Sequence, residues 1–131
     1  MKGRLAKFLR KLRIENDEYL KDMALKTGVS ISFLSAVENE TKKITESLIK
    51  KIVDSYKLTE AQEEELRIAS IEANNETTIY LDKLNDSQIE LAYKFARRIK
   101  NIDEDTLLKI KNILEDENDW LFCKVKKYEG N

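Results

Sequence analysis

Residues 20–39 read LKDMALKTGVSISFLSAVEN, and this stretch decides the fold. Ala24 is small enough to let two helices cross closely. Gly28 follows four residues later, where a residue without a side chain can turn the backbone sharply. Apolar residues around the glycine supply contacts between the two helices: Met23, Val29, Leu34 and Val37. The pattern predicts a helix-turn-helix, in which two helices meet at a steep angle across a short turn.

The composition favours helices along the whole chain. Its 131 residues are 41% hydrophobic and 37% charged, and they include three glycines and no proline. Because proline normally makes up about 5% of a sequence, residues that break helices are scarce here. Lysine, glutamate and leucine, which favour helices, are abundant. We therefore expect an all-α protein.

Several function classes are excluded by residues that the chain lacks. It has no histidine, the usual general base and metal ligand, and its one cysteine, Cys123, cannot form a metal cluster or an intramolecular disulfide. No apolar run approaches the roughly 18 residues of a membrane span, and the N-terminus lacks a signal-peptide core. The sequence predicts a cytoplasmic, non-enzymatic protein with no metal, no cofactor and no membrane partner.

Five helices are expected in the first half of the chain, over about residues 3–14, 20–27, 31–39, 46–56 and 60–73. Ser30, Thr45 and Thr59 each precede one of them as an N-cap, because a hydroxyl there accepts an otherwise unpaired backbone N–H. Gln62 has the spacing of a capping box with Thr59.

The second half begins with a polar boundary. Residues 74–85 are predicted to be a linker, although residues 77–81 (TTIYL) also allow a short strand because β-branched and aromatic residues dominate them. Two helices are expected over about residues 86–100 and 103–117, followed by a flexible tail. The predicted organisation is a helix-turn-helix domain over residues 1–73, the linker, and a helical region over residues 86–131.

The stretch from Phe8 to Leu58 contains four segments in a characteristic order: FLRKLRIE, LKDMALKTGVS, FLSAVENE and LIKKIVDSYKL. In this order and spacing they resemble the xenobiotic-response-element (XRE) family of helix-turn-helix proteins, to which the Cro and lambda-repressor DNA-binding domains belong. Their order and separations match a five-helix domain that covers a little over half of the chain. The resemblance implies a five-helix lambda-repressor-like domain whose second helix-turn-helix helix enters the major groove of double-stranded DNA.

The resemblance also implies roles for individual residues. Arg13 and Glu38 match an ion pair that ties the first helix to the recognition helix. Positions that face base edges in the family are occupied by Ile31, Ser32, Ser35 and Ala36. Positions that contact the phosphate backbone are occupied by Ser30, Asn39, Thr41, Lys42 and Lys43. Phosphate contacts set affinity and register, whereas contacts to base edges convey sequence.

The sequence departs from the family pattern at three places. Glu40 stands where glycine is usual, close to the expected phosphates, and Tyr19 stands where Ser or Thr often caps the second helix. Residues 27–37 contain no ionisable residue, Asn or Gln, so the usual bidentate base contacts are missing. We expect modest specificity, favouring A·T-rich sites through thymine methyls and DNA shape. A rival interpretation is that this helix contacts protein.

Charge and apolar patterning separate the two halves. Residues 1–57 contain 13 basic and 8 acidic residues, a net charge of +5, whereas residues 58–131 contain 11 basic and 17 acidic residues, a net charge of −6. The basic half suits a polyanion. The sixth and seventh helices carry apolar residues around most of their circumference, so they need partners on more than one side. We expect a homodimer, with a single monomeric bundle as the alternative.

These expectations combine into one functional prediction. The chain is predicted to be a sequence-specific DNA-binding transcriptional regulator of phage or mobile-element type. A repressor is favoured because occupying a promoter requires no further domain. Its partners are double-stranded DNA and a second copy of itself. The alternative is a protein-binding module on the same fold, such as a phage-encoded inhibitor or an antitoxin, whose partner is another protein.

Overall fold

A computed structural model describes residues 3–115 and confirms the all-α prediction. Within that range the backbone forms seven α-helices and no β-strand. Their bounds are α1 Arg4–Glu15, α2 Leu20–Thr27, α3 Ile31–Glu38, α4 Glu46–Tyr56, α5 Glu60–Asn74, α6 Asp86–Arg98 and α7, which runs from residue 104 to the last described residue, 115. No helix in this part of the chain is long and apolar enough to cross a membrane.

The three predicted N-caps each form the expected hydrogen bond at the start of a helix. The hydroxyl of Ser30 accepts the N–H of Phe33 at 3.0 Å, and that of Thr45 accepts the N–H of Leu48 at 3.1 Å. Thr59 forms the predicted capping box with Gln62, with distances of 3.2 and 2.9 Å in the two directions. Each bond satisfies an N–H that the helix itself leaves without a partner, so these caps fix the starts of α3, α4 and α5.

The turn between α2 and α3 depends on one residue. Gly28 adopts φ 72°, in the left-handed region, and ends α2. The next residue, Val29, donates its N–H to the carbonyl of Ala24 at 3.0 Å, which closes the end of the helix. An L-residue is strained in this conformation, so glycine is what allows α3 to start three residues later, at Ile31.

The core of the first half is formed by all five helices. α1 packs most extensively against α5, and α2 packs against α3 and α4. Each helix turns apolar side chains inward, and the largest that are almost completely buried are Leu5, Leu9, Met23, Leu34, Leu48, Ile52 and Leu66. This core holds α3 by its inner side and leaves the outer side of α3 at the surface.

The chain divides into two compact units, the first ending at Thr78 and the second beginning at Ile79. The division lies inside the linker that the sequence predicts over residues 74–85. The short strand considered for residues 77–81 is wrong: this segment has no regular structure, since no other strand exists among residues 3–115 to pair with it.

The second unit contains α6, a 3₁₀ turn at Ile99–Asn101, and α7. Asn85 caps α6 through a capping box with Gln88, with both bonds at 2.9 Å. The helix ends two residues before the predicted position because the chain tightens into the 3₁₀ turn. No residue of this unit that the structure describes is buried. The predicted end of the seventh helix at residue 117 and the predicted flexible tail lie outside the described residues.

Candidate nucleic-acid interface

The outer side of α3 is the centre of the candidate site. Ile31 is 51% exposed and Ser32 is exposed, while Ser35 and Ala36 are half-buried. On an α-helix these four positions lie within one face, opposite the buried Leu34. The structure therefore brings the predicted base-facing residues together on one accessible surface that carries no charge.

Ser30 lies at the N-terminal end of this face. Its oxygen accepts the N–H of Phe33, so the hydroxyl serves α3 as its N-cap. The side chain remains exposed, and its own hydrogen can still be donated to a phosphate oxygen. Ser30 can therefore cap the helix and contact a phosphate at the same time.

The loop after α3 is fixed by the carbonyl oxygen of Ala36. That oxygen accepts the backbone N–H groups of Thr41 at 2.9 Å and Lys42 at 3.3 Å, and also the Thr41 hydroxyl at 3.2 Å. The Thr41 hydroxyl hydrogen is thus already used inside the protein. Thr41 is therefore the weakest donor among the residues predicted to contact phosphate here. Asn39, at the end of α3, has an exposed side chain.

The two loop lysines differ in how available their charge is. Lys43 forms an ion pair with Glu76, although both side chains are more than half exposed. Lys42 is exposed and has no ion-pair partner among residues 3–115. The loop that carries them is anchored at Ile44, whose N–H and C=O both bond to the Asn74 side chain at 3.0 Å. Lys42 is therefore the more available of the two cations.

The ion pair implied by the family resemblance is present. The Arg13 guanidinium donates two hydrogen bonds to the Glu38 carboxylate, one of them at 3.1 Å, and the side chains are only 11% and 7% exposed. A second guanidinium, that of Arg10, lies 3.8 Å from the same carboxylate. The pair ties α1 to the C-terminal end of α3, and its charges are neutralised within the protein.

Another polar cluster joins α2 to α4. Glu18 accepts hydrogen bonds from the Tyr56 hydroxyl and from the Lys26 ammonium, the latter at 2.9 Å. Lys26 also lies 4.2 Å from the centre of the Tyr56 ring. Burial raises the pKa of Glu18, but the bonds from Tyr56 and Lys26 outweigh it and lower that pKa below its ordinary value. Burial and the bond to Glu18 both raise the pKa of Tyr56.

No family model, curated protein or solved structure matches this chain. Among residues 3–115 there is no group of three or more His, Cys, Asp or Glu side chains that could hold a metal ion.

Sequence reasoning did not assign Lys51 to the site. A Cβ added to Gly28 would meet the Lys51 ammonium at 3.9 Å, so this exposed cation on α4 lies beside the turn that precedes α3. The signal was present in LIKKIV at residues 48–53, where two lysines interrupt the buried stripe of α4. Only the packing of α4 beside the turn shows that one of them borders the candidate surface.

Proposed function

We propose that the first unit binds double-stranded DNA, with α2 and α3 acting as a helix-turn-helix and α3 lying in the major groove. The observation that carries the proposal is the uncharged, accessible face of α3 beside exposed lysines. An α-helix with its side chains is about 10–12 Å across, which fits the roughly 12 Å width of the major groove. On this basis the chain is a five-helix, XRE-type transcriptional regulator, and a repressor of phage or mobile-element type is favoured.

Affinity and specificity have different sources in this proposal. Lys42, Lys43 and Lys51 supply cations for the phosphate backbone, which raise affinity for every sequence. Ile31 can contact thymine methyls, and Ser32 can bond either base type. Because no Arg, Asn or Gln is available on α3, discrimination between sites is modest and DNA shape contributes to it.

The first experiment measures DNA affinity as a function of salt for the full chain, using the DNA immediately upstream of its own coding region. Releasing counterions makes the logarithm of the affinity fall with the logarithm of the salt concentration, with a slope of about −0.9 per phosphate contacted. Lys42→Ala should weaken binding to every sequence and flatten the slope by about 0.9. Lys109→Ala in α7 is the matched control and should change neither.

Ser32→Ala and Ile31→Ala test the base-reading face. Both side chains are exposed, so neither substitution should unfold the protein. We expect them to change the ratio of affinities for upstream and scrambled DNA, whereas Lys42→Ala leaves that ratio unchanged. Equal losses on both DNAs would contradict the assignment of α3 as the reading helix.

Homodimerisation through the second unit completes the proposal. Its described helices expose apolar side chains that a folded monomer would normally bury, including Leu91 at 67%, Leu108 at 56% and Leu114 at 63%. Leu91→Glu should shift the light-scattering mass from dimer towards monomer, and Leu91→Met, which keeps an apolar side chain of similar volume, is the control. A wild-type mass equal to that of one chain would contradict the dimer.

One observation supports a second candidate, a protein-binding module. The face of α3 carries the half-exposed Ile31 and none of the usual bidentate readers, so an apolar partner would suit it. Salt distinguishes the two functions, because an apolar protein contact responds weakly to ionic strength while DNA binding falls steeply.

A further inference from the structure

An open cleft of about 380 Å³ lies between the first half of α1 and the residues that end α3. Among its lining residues are Gly3, Lys7 and Arg10 on the α1 side and Asn39 and Glu40 on the α3 side. Asn39 is one of the residues assigned above to phosphate contact. The cleft therefore joins the proposed DNA-binding surface to a part of α1 that sequence reasoning left out of the site.

Two cations of this cleft are available for an external anion. Lys7 is exposed and has no ion-pair partner among residues 3–115. Arg10 has a side chain that is 61% exposed, and it lies 3.8 Å from Glu38, a carboxylate that already receives two hydrogen bonds from Arg13. Because Arg13 satisfies that carboxylate, Arg10 is held loosely.

Glu40 places a negative charge in the same cleft. It adopts φ 61°, a left-handed conformation that is strained for a residue other than glycine. Its carboxylate accepts the Gly3 N–H at 3.1 Å across the cleft. An internal carboxylate thus lies among the cations that would otherwise meet a phosphate.

We propose that this cleft is a further phosphate-binding site for the DNA backbone, in which Lys7 and Arg10 contact the phosphate and Glu40 lowers the affinity of the free protein for DNA of any sequence. The proposal rests on DNA binding by the first unit. It extends the phosphate contacts from the loop after α3 onto α1. It also assigns a function to Glu40, which stands where glycine is usual in the XRE family that the sequence resembles.

The test uses the full chain and a labelled random-sequence duplex of about 30 base pairs, roughly three helical turns. Lys7→Ala should weaken binding about two- to fivefold and flatten the salt slope by about 0.9. Lys11→Ala is the matched control: it removes the same charge from the same helix, but Lys11 does not line this cleft. It lines the neighbouring cleft that Lys7 and Glu65 also border. This control should bind like the wild type.

Glu40→Gln separates charge from structure, since its amide oxygen can still accept the Gly3 N–H while the negative charge is lost. It should strengthen binding about two- to fivefold on every duplex. In the presence of Lys7→Ala its gain should be smaller, because the two residues act on the same phosphate. A purely structural role for Glu40 predicts unchanged DNA affinity in this variant.

The outcomes separate this inference from the proposal on which it rests. If the wild type binds DNA and Lys42→Ala weakens it, but Lys7→Ala matches Lys11→Ala and Glu40→Gln has no effect, the cleft does not bind phosphate and DNA binding stands. If the wild type binds no duplex even at low salt, the proposal of DNA binding is refuted, and the proposal of a phosphate site in the cleft is refuted with it.

Discussion

Removing Arg13 should destabilise the first unit strongly. Its guanidinium and the Glu38 carboxylate are nearly buried and doubly hydrogen-bonded, so Arg13→Met leaves a buried carboxylate without its main partner. Breaking a buried pair in this way costs about 3–5 kcal/mol. We expect the low end, about 3 kcal/mol, because Arg10 lies 3.8 Å from the same carboxylate and can move closer.

Replacing both partners should cost far less. Arg13→Met combined with Glu38→Leu removes the uncompensated charge and substitutes apolar side chains of similar length. Such replacements are often neutral or stabilising, so the double variant should lie within about 1 kcal/mol of the wild type. Arg10→Met is the control, since its side chain is 61% exposed, and it should change stability by less than about 0.5 kcal/mol.

Urea denaturation of the full chain, followed by circular dichroism at neutral pH, measures these differences. With a denaturant slope of about 1.5 kcal/mol per molar, a loss of about 3 kcal/mol lowers the urea midpoint by about 2 M. Two results would refute the claim that this pair ties α1 to α3. One is a loss below about 1 kcal/mol for Arg13→Met, and the other is a double variant whose loss equals the summed losses of the two single variants.

Three further predictions concern local interactions. The pKa of Glu18 is lowered in the folded protein, so its carboxylate stabilises the fold above its ordinary pKa of 4.5, and this stabilisation is lost as pH falls through the folded pKa. Because Tyr56 donates one of the hydrogen bonds that lower this pKa, Tyr56→Phe should flatten the fall in melting temperature measured between pH 5 and pH 3. Gly28→Ala should lower the free energy of unfolding by about 1–2 kcal/mol through backbone strain alone, since an added Cβ meets nothing closer than the Lys51 ammonium at 3.9 Å. The urea midpoint measures this loss, and an unchanged midpoint would exclude strain at this turn. Thr59→Ala should cost about 1 kcal/mol through loss of the N-cap, whereas the same loss in Thr59→Ser, which keeps the hydroxyl, would contradict that cause.

The helix starts could be predicted because the interactions that set them are local. Ser30, Thr45 and Thr59 each bond to a backbone N–H only three residues away, so the residues that decide the boundary lie together in the sequence. Local sequence gave a wrong prediction of a strand at residues 77–81. Their β-branched and aromatic side chains favour extended backbone, but a strand forms only with a neighbouring strand to pair with, and local propensity carries no information about that neighbour.

The charge balance of the candidate site depends instead on contacts between distant residues. Lys43 meets Glu76, 33 residues later, and Glu40 meets the backbone of Gly3, 37 residues earlier. Neither partner follows from a motif, because each contact forms only after α1 and the end of α5 pack around the core. The sequence predicted which residues line the loop after α3, but it did not distinguish the available Lys42 from the paired Lys43.

These contacts bear on why a dimer suits the proposed function. In one copy, the phosphate contacts that we propose would rest on a few cations, one of which would have to leave Glu76, and the face of α3 lacks Arg, Asn or Gln side chains to bond base edges. A single copy should therefore bind DNA weakly and discriminate little. Joining two copies makes the second half-site contact effectively intramolecular, which can raise overall affinity by a factor of about 10²–10⁴ without any new contact. Modest discrimination at each half-site would then be multiplied, so the exposed apolar surface of the second unit and the charge-poor α3 are both consistent with the dimeric regulator that we propose.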